Sequence, residues 1–136
     1  MTARTILALD IGSVRIGVAI ATSVSRLPRP LLTLTRSAET VEDIKKLISE
    51  QGITDLVVGV PRGLDGQTTE QTRATLTFIE QLEDIGVPIH QQDEAVTSHQ
   101  AKEELNSRGK PYEKGDIDAL AATYILEDFL KELGNV

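Results

Sequence analysis

The chain has no cysteine and no tryptophan, and aromatic residues make up only 3% of its 136 residues. Without cysteine it forms neither disulfides nor thiolate metal sites, and nothing opposes a reducing, cytoplasmic location. So few aromatic side chains disfavour proteins that read single strands by stacking on bases. The first apolar run is about seven residues long, contains Asp10, and lacks the length of a secretory signal. Because no segment approaches the length of a membrane span, we expect a cytoplasmic protein with no membrane partner.

Positive charge is also scarce. There are 14 lysines and arginines against 21 acids, which gives a net charge of −7 and a pI near 4.8. This balance argues against a protein that holds nucleic acid by bulk positive charge. The distribution still leaves one face able to attract phosphate, because most acids lie on predicted helices. Eight basic residues lie instead in predicted loops or at strand ends, namely Arg15, Arg26, Arg29, Arg36, Arg62, Arg108, Lys110 and Lys114.

The chain starts as a predicted meander. Thr5 to Ile11 and Val14 to Ala21 are rich in Ile, Leu and Val and are separated by a tight "GS" connection, which is typical of an antiparallel hairpin. Pro30 to Thr35 is a third strand. The length suits one domain, residues 1–136, with a substantial core.

The hydrophobic period then changes to that of alternating helices and strands. The predicted elements are a helix over Val41 to Ile48 ending before Gly52, a strand over Ile53 to Val60, a helix from a Thr68/Gln71 capping box, a strand over Val87 to Gln92, a helix from Thr97, and a last helix over Asp116 to Leu133. This order predicts an α/β fold with a mixed five-stranded sheet, an antiparallel meander followed by βαβ units, and helices on both faces. In such sheets ligands gather where strand ends diverge.

Acidic residues stand at three ends of predicted elements. Asp10 closes the first strand, Asp93 and Glu94 follow the fifth, and Asp118 begins the last helix with the small residues Ala121 and Ala122 on the same side. Small neighbours let that helix approach the sheet. If the first and fifth strands are close, the carboxylates of Asp10, Glu94 and Asp118 converge.

Three converging carboxylates repel one another unless a cation neutralises them. Oxygen ligands without cysteine favour Mg²⁺ or Mn²⁺, and a pair of such ions about 3.5 to 4 Å apart suits phosphodiester hydrolysis. Each acid alone has a simpler interpretation: Asp10 as a turn former, Glu94 as a partner of a helix dipole, and Asp116 as a helix cap. Together, at three strategic ends, they favour a functional site.

Other features of the sequence are weaker evidence of function. Residues 59–72 form a Gly/Pro-rich turn before a helix, which suits an anion, but the loop lacks the lysine of a Walker motif. His90 is interpreted as a strand-surface residue, and His99 lies near Glu94. No nucleophile elbow of a serine hydrolase is present.

Four stretches carry a family resemblance. "LDIGSVRIGVAI" is similar to D-x-G-x-x-R-I-G-x-A, "VVGVPRGLDG" to V-V-G-x-P-x-x-x-D-G, "DEAVTS" to D-E-R-x-T-[ST], and "IDALAATYILEDFL" to I-D-x-x-A-A-x-x-I-L. In this order and spacing they resemble the YqgF/RuvX family, Holliday junction resolvase-like proteins of the ribonuclease H-like superfamily. The resemblance spans nearly the whole chain.

The resemblance implies a ribonuclease H-like fold and a nuclease that hydrolyses phosphodiester bonds in structured nucleic acid. It implies that Asp10, Glu94 and Asp118 are the metal-binding catalytic carboxylates. We expect Glu94 and Asp10 to hold the ion that activates water and Asp118 to complete a second site. The family's substrate is either the four-way DNA junction or the precursor of small-subunit ribosomal RNA; we favour the RNA.

The chain departs from the family at several basic positions. Ala95 stands where the family commonly has arginine, and Val14 replaces a frequent lysine. These losses weaken the case for substrate affinity more than that for metal binding. The remaining candidates to bind substrate phosphate are Arg15, Arg62, Lys110 and Lys114.

Two rival functions stay open. A catalytically inactive nucleic-acid or protein interaction module of the same fold suits the acidic balance and the departures at Ala95 and Val14. A phosphate-binding lobe of the actin and sugar-kinase type has a similar opening turn, but its nucleotide site needs a second lobe. Junction resolution favours a homodimer with paired sites, whereas RNA trimming does not demand one.

Overall fold

The computed structural model describes residues 3–94, 106–107 and 114–134, apart from the side chain of Lys114. The strands are Thr5–Ile11 (β1), Arg15–Thr22 (β2), Arg29–Thr35 (β3), Asp55–Pro61 (β4) and Ile89–Glu94 (β5). The helices over the described residues are Thr40–Gln51 (α1), Glu70–Glu80 (α2) and Lys114–Leu133 (α3).

The strands form one mixed sheet in the order β3-β2-β1-β4-β5. The β1–β2 and β2–β3 pairs are antiparallel, whereas β4 is parallel to both β1 and β5. This arrangement confirms the predicted meander followed by βαβ units. The carboxyl ends of β1, β4 and β5 therefore lie at the same edge of the sheet.

The two faces of the sheet have separate cores, because side chains alternate along each strand. Leu7, Leu9 and Ile11 of β1 pack toward α1 and α2 with Ile44 and Phe78. On the other face the core around α3 consists of strand residues, among them several alanines, and of the inward side of the helix, namely Ile6, Ala8, Ala19, Ala21, Val57, Ala122, Ile125, Leu126, Phe129 and Leu130. The prediction of helices on both faces is thus confirmed.

Several boundaries differ from the predicted ones. The cap of α2 is Thr69 with Thr72, not Thr68 with Gln71, and the helix ends at Glu80. Strand β5 begins two residues later than predicted and includes Glu94. The helix predicted from Thr97 lies outside the described residues, apart from helical positions 106 and 107.

Helix α3 lies against the sheet at two glycines. A Cβ at Gly17 of β2 would be 1.8 Å from the carbonyl oxygen of Asp118, and one at Gly59 of β4 would be 2.3 Å from Ile125 Cδ1. This close approach fixes where the side chains of α3 stand over the sheet. Over the described part of the chain, every helix is too short or too polar to cross a membrane.

Candidate active site

Two of the predicted carboxylates lie at the carboxyl edge of the sheet on the face that α3 covers. Asp10 follows Ile6 and Ala8 in the alternation of β1 and is partly buried. Glu94 ends β5 opposite Pro61 of β4. Because β4 lies between β1 and β5, the two backbones are about 10 Å apart. Side chains directed toward each other over β4 can bring their oxygens closer.

The third carboxylate, Asp118, stands over the β1–β2 hairpin. Its backbone contacts Gly17, which is the register partner of Asp10. The Nε of Arg15 donates to Asp118 Oδ2 at 2.8 Å, and the Asp118 side chain is 19% exposed. The fold therefore places Asp118 beside Asp10, where its charge acts on Asp10.

Asp10 has an unusually basic carboxyl group. Burial raises its pKa, and the negative charge of Asp118 raises it further, to about 7. Because both burial and the neighbouring negative charge disfavour ionisation, the carboxylate form of Asp10 is costly.

The pKa of Glu94 is raised even further than that of Asp10. Burial, a hydrogen bond with the carboxyl group of Asp128, and the charges of Asp128, Glu132 and Asp10 raise its pKa to about 9. Among the described residues, the buried Glu94 Oε1 has no hydrogen-bond partner. A buried polar atom without a partner is uncommon in native proteins and marks a place where an ion or another ligand can bind.

These side chains fit a hard divalent cation by the chemistry of their donors, which are carboxylate oxygens. Over the described residues, no three acidic or histidine side chains already surround a point where an ion could sit. The buried Oε1 of Glu94 would supply one ligand atom to such a cation, and the partly buried Asp10 would supply a second carboxylate.

Two of the basic candidates are engaged with acids. Besides the contact of Arg15 with Asp118, Arg62 donates from Nε to Asp93 Oδ1 at 3.1 Å and from Nη1 to Thr68 Oγ1 at 3.0 Å. Asp93 is exposed and therefore forms a surface ion pair rather than part of the carboxylate site. Lys110 and the side chain of Lys114 lie outside the described residues.

Asp128 and Glu132 were missed by sequence reasoning. Asp128 contacts Glu94, and Glu132 Oε1 accepts a hydrogen bond from Gln92 Nε2 at 3.3 Å. Their spacing from Ile125, three and seven residues, places both near the inward side of α3. That spacing is visible in the sequence, but its meaning depends on the path of α3 across the sheet.

The structure corrects the sequence-based interpretations of Asp116 and His90. Helix α3 begins at Lys114, so Asp116 lies in its first turn and is not its cap. His90 is not a simple surface residue: its Nε2 lies 2.9 Å from Asp55 Oδ2, and its ring lies 5.0 Å from that of Phe129. His99 lies outside the described residues.

Comparison with known proteins identifies the family of this fold and site. Residues 4–132 match the RuvX family, described as Holliday junction resolvase. The chain belongs to the RuvX family. It is 36% identical over 135 residues to a protein of Chloroflexus aggregans named "Putative pre-16S rRNA nuclease", with 96% of this chain and 95% of that protein covered. A Shewanella oneidensis protein of the same name is 35% identical over 137 residues, with 96% of each chain covered.

Solved structures support the fold of this RuvX member. Thermus thermophilus RuvC in complex with a Holliday junction substrate matches with a TM-score of 0.57 and 18% identity, over 96% of this chain and 97% of that one. The structure of RuvC from Thermus thermophilus matches with a TM-score of 0.52. The predicted ribonuclease H-like fold is thereby confirmed. The family assignment also disfavours the lobe of the actin and sugar-kinase type.

Proposed function

We propose that this RuvX protein is a metal-dependent nuclease that hydrolyses phosphodiester bonds in the precursor of small-subunit ribosomal RNA. The observation that carries the proposal is the buried Oε1 of Glu94, which has no hydrogen-bond partner in the described part of the chain and lies at the same sheet edge as Asp10. A catalytic group that must bind a cation has a reason to stand there without a protein partner. An inactive module has no such reason.

In this proposal Asp10, Glu94 and Asp118 hold Mg²⁺ or Mn²⁺. Asp10 and Glu94 would hold one ion, and Asp118, which now pairs with Arg15, would complete the site of a second. Bound divalent ions supply an activated water and charge stabilisation for the leaving oxygen. Arg15, released from Asp118, is then a donor for the substrate phosphate, and Arg62 is a second one.

The RNA substrate is proposed from the relatives, which are named for nucleolytic action on pre-16S rRNA. A second candidate substrate is the four-way DNA junction, because the family description names it and the RuvC structure contains one. The chain is proposed to act in the cytoplasm as a single domain. A homodimer is proposed only for the junction, whose two-fold symmetry requires paired sites.

Parallel cleavage assays with Mn²⁺ on ribosomal RNA precursor and on junction DNA test the function. We expect the wild-type chain to cleave the RNA, and Asp10→Asn and Glu94→Gln to lose at least about a hundredfold in rate. Asp84→Asn, an exposed carboxylate outside the site, is the matched control and should cleave as the wild type does. EDTA should abolish cleavage.

Each outcome decides a separate part of the proposal. Cleavage of the junction alone would replace the RNA substrate with DNA. Equal cleavage by the wild type and Asp10→Asn would overturn the catalytic assignment. If neither nucleic acid is cleaved although both are bound, the inactive interaction module is the better description.

A further inference from the structure

A cleft lies on the opposite face of the sheet from the carboxylates. Its volume is about 600 Å³, within the range of pockets that hold a small ligand. Its lining comes from the end of β1 and the β1–β2 turn, from the segment after β3, and from the first half of α2, namely Ile11, Gly12, Ser13, Arg36, Ser37, Gln71, Ala74 and Thr75. The cleft therefore opens at the same sheet edge as the candidate active site.

The lining has the chemistry of a site for a sugar and a phosphate. Serine and threonine hydroxyls and the amide of Gln71 offer neutral hydrogen-bonding groups, and Arg36 is the only charged side chain in the lining as described. Thr75 is almost completely buried, so the base of the cleft is part of the folded core. A lining without carboxylates is notable in a chain whose net charge is −7.

Arg36 is held in place by backbone and ring contacts. Its Nη1 donates to the carbonyl oxygen of Gly12 at 2.9 Å, and its guanidinium lies 4.9 Å from the ring centre of Phe78. Its backbone N–H donates to the carbonyl oxygen of Val14 at 2.8 Å. No carboxylate of the described residues pairs with it, in contrast to Arg4, Arg15 and Arg62. A guanidinium has five N–H donors, so this contact leaves donors for a ligand.

The position of the cleft relative to Asp10 favours a particular ligand. Gly12 and Ser13 follow Asp10 by two and three residues, so the cleft begins within about 10 Å of that carboxylate along the chain. The β1–β2 turn is all that separates the two sites along this stretch. A nucleic-acid strand that crosses the turn can present one phosphate to the carboxylates and another to Arg36.

We propose that this cleft, which we call the Arg36 cleft, binds the sugar–phosphate backbone of the substrate RNA one to three nucleotides from the bond that is cleaved. The proposal rests on the proposed nuclease function and extends it. Arg36 binds the phosphate, and the hydroxyl and amide groups of the lining contact the ribose. The cleft thus supplies positive charge near the active site of a chain that lacks it at positions 14 and 95.

The test measures binding without cleavage. The probe is a fluorescein-labelled RNA hairpin with a single-stranded extension, and its anisotropy is followed in the Asp10→Asn background at several salt concentrations. We expect Arg36→Gln to weaken binding about tenfold and to lower the salt slope by about 0.7 to 0.9, as loss of one phosphate contact does. The matched control, Arg29→Gln, removes the same charge at the other end of the sheet and should change binding less than twofold.

A second pair of variants leaves Arg36 and its contacts intact. Ala74→Glu places a negative charge at an exposed position of the cleft, whereas Gln81→Glu adds the same charge just after α2, away from the cleft. We expect only Ala74→Glu to weaken RNA binding by fivefold or more. Melting temperatures of all four variants identify any loss that comes from unfolding.

The outcomes separate this proposal from the proposed function. If Arg36→Gln binds RNA as Arg29→Gln does, and Ala74→Glu as Gln81→Glu does, the Arg36 cleft proposal is wrong even where the wild type cleaves RNA. If Arg36→Gln weakens binding with an unchanged salt slope, Arg36 acts through the fold of the turn, and the phosphate contact is likewise excluded. Failure of Asp10→Asn to reduce cleavage would overturn the catalytic assignment instead.

Discussion

At the residue scale, two carboxyl groups stand where a charge is costly. The pKa of Asp10 is raised to about 7 and that of Glu94 to about 9, in both cases chiefly by burial. Evolution of a stable core alone would replace such groups with apolar or amide side chains. Under the proposed function, a bound cation would offset this cost, since a cation favours the ionised form.

Without a bound metal, ionisation of Asp10 should lower the free energy of unfolding by an amount that depends on pH. Because the folded-state pKa is raised from 3.8 to about 7, stability is greatest below the unfolded value and falls as pH rises toward 7. At pH 8 in EDTA we expect Asp10→Asn to unfold with a free energy about 2 kcal/mol higher than the wild type, measured by urea titration. Added Mn²⁺ should stabilise the wild type more than the variant. A variant less stable than the wild type in EDTA would contradict this.

Arg15 should compete with the metal for Asp118. Its Nε lies 2.8 Å from Asp118 Oδ2, and its positive charge repels a cation nearby. We expect Arg15→Gln to bind Mn²⁺ about threefold to tenfold more tightly in calorimetric titration, while binding RNA more weakly. Arg29→Gln, remote from the site, should leave the Mn²⁺ affinity unchanged. Unchanged or weaker Mn²⁺ binding by Arg15→Gln would show that Asp118 is not a ligand.

At the element scale, the site depends on how closely α3 lies on the sheet. A Cβ at Gly17 would meet the Asp118 carbonyl oxygen at 1.8 Å, and backbone cannot move aside as a side-chain tip can. Since Asp118 is carried by this part of α3, its position relative to Asp10 is set by a backbone contact. The absence of a side chain at Gly17 is thus required for the observed position of Asp118.

Gly17→Ala should therefore displace α3. We expect a loss of about 3 kcal/mol in the free energy of unfolding, measured by urea titration, together with weaker Mn²⁺ binding. Gly115→Ala is the control within the same helix, because its Cβ would meet Thr33 atoms at an ordinary 3.5 Å. That control should be neutral or more stable by about 0.5 kcal/mol, since alanine is the better helix former. Equal effects of the two substitutions would contradict the close approach.

The sequence predicted the type and order of the described elements because the hydrophobic period of most of them was clear, while the weaker pattern of the fifth strand was assigned from its place after a helix. It misplaced boundaries that tertiary contacts decide. The stretch "TTEQT" is compatible with two overlapping capping boxes, Thr68 with Gln71 and Thr69 with Thr72. The second one forms because the Thr72 hydroxyl also donates to the carbonyl oxygen of Pro61. Strand β5 begins after Pro88, which has no N–H and whose carbonyl accepts from Leu56 at 2.9 Å. Asp128 was not predictable because its place follows from the approach of α3 to Gly59.

At the scale of the whole molecule, the two ends of the sheet have different chemistry. The edge formed by the carboxyl ends of β1, β4 and β5 carries Asp10 and Glu94, whose ionised forms are unfavourable. The opposite edge carries an acid whose charge is stabilised by hydrogen bonds. Asp55, at the start of β4, accepts from Arg4 Nη2 at 2.7 Å and from Thr54 Oγ1 at 2.8 Å, and its Oδ2 lies 2.9 Å from His90 Nε2. The hydrogen bond from Arg4, supported by those from His90 and Thr54, holds the pKa of Asp55 well below its usual range despite burial.

This network should stabilise the fold without affecting the chemistry of the site. We expect Asp55→Asn to lower the free energy of unfolding by about 2 kcal/mol at pH 7, because it leaves Arg4 and His90 without their charged partner. Since the folded-state pKa of Asp55 is depressed, its contribution is fully present above about pH 4 and is lost only as pH falls through the folded-state pKa, so the difference between wild type and variant should narrow steadily below pH 4. Urea titrations from pH 7 down to about pH 2 measure this, with Asp84→Asn as the control. A difference that stays constant from pH 7 to about pH 2 would assign the effect to packing instead.

The central claim of this account is that Asp10 and Glu94 share a divalent cation. The most direct measurement is the anomalous scattering of Mn²⁺ in crystals grown with the ion. We predict a peak within about 2.2 Å of an oxygen of Asp10 and of the buried Oε1 of Glu94. A structure at saturating Mn²⁺ in which both carboxyl groups remain without an ion, or in which the ion binds elsewhere, would contradict the claim.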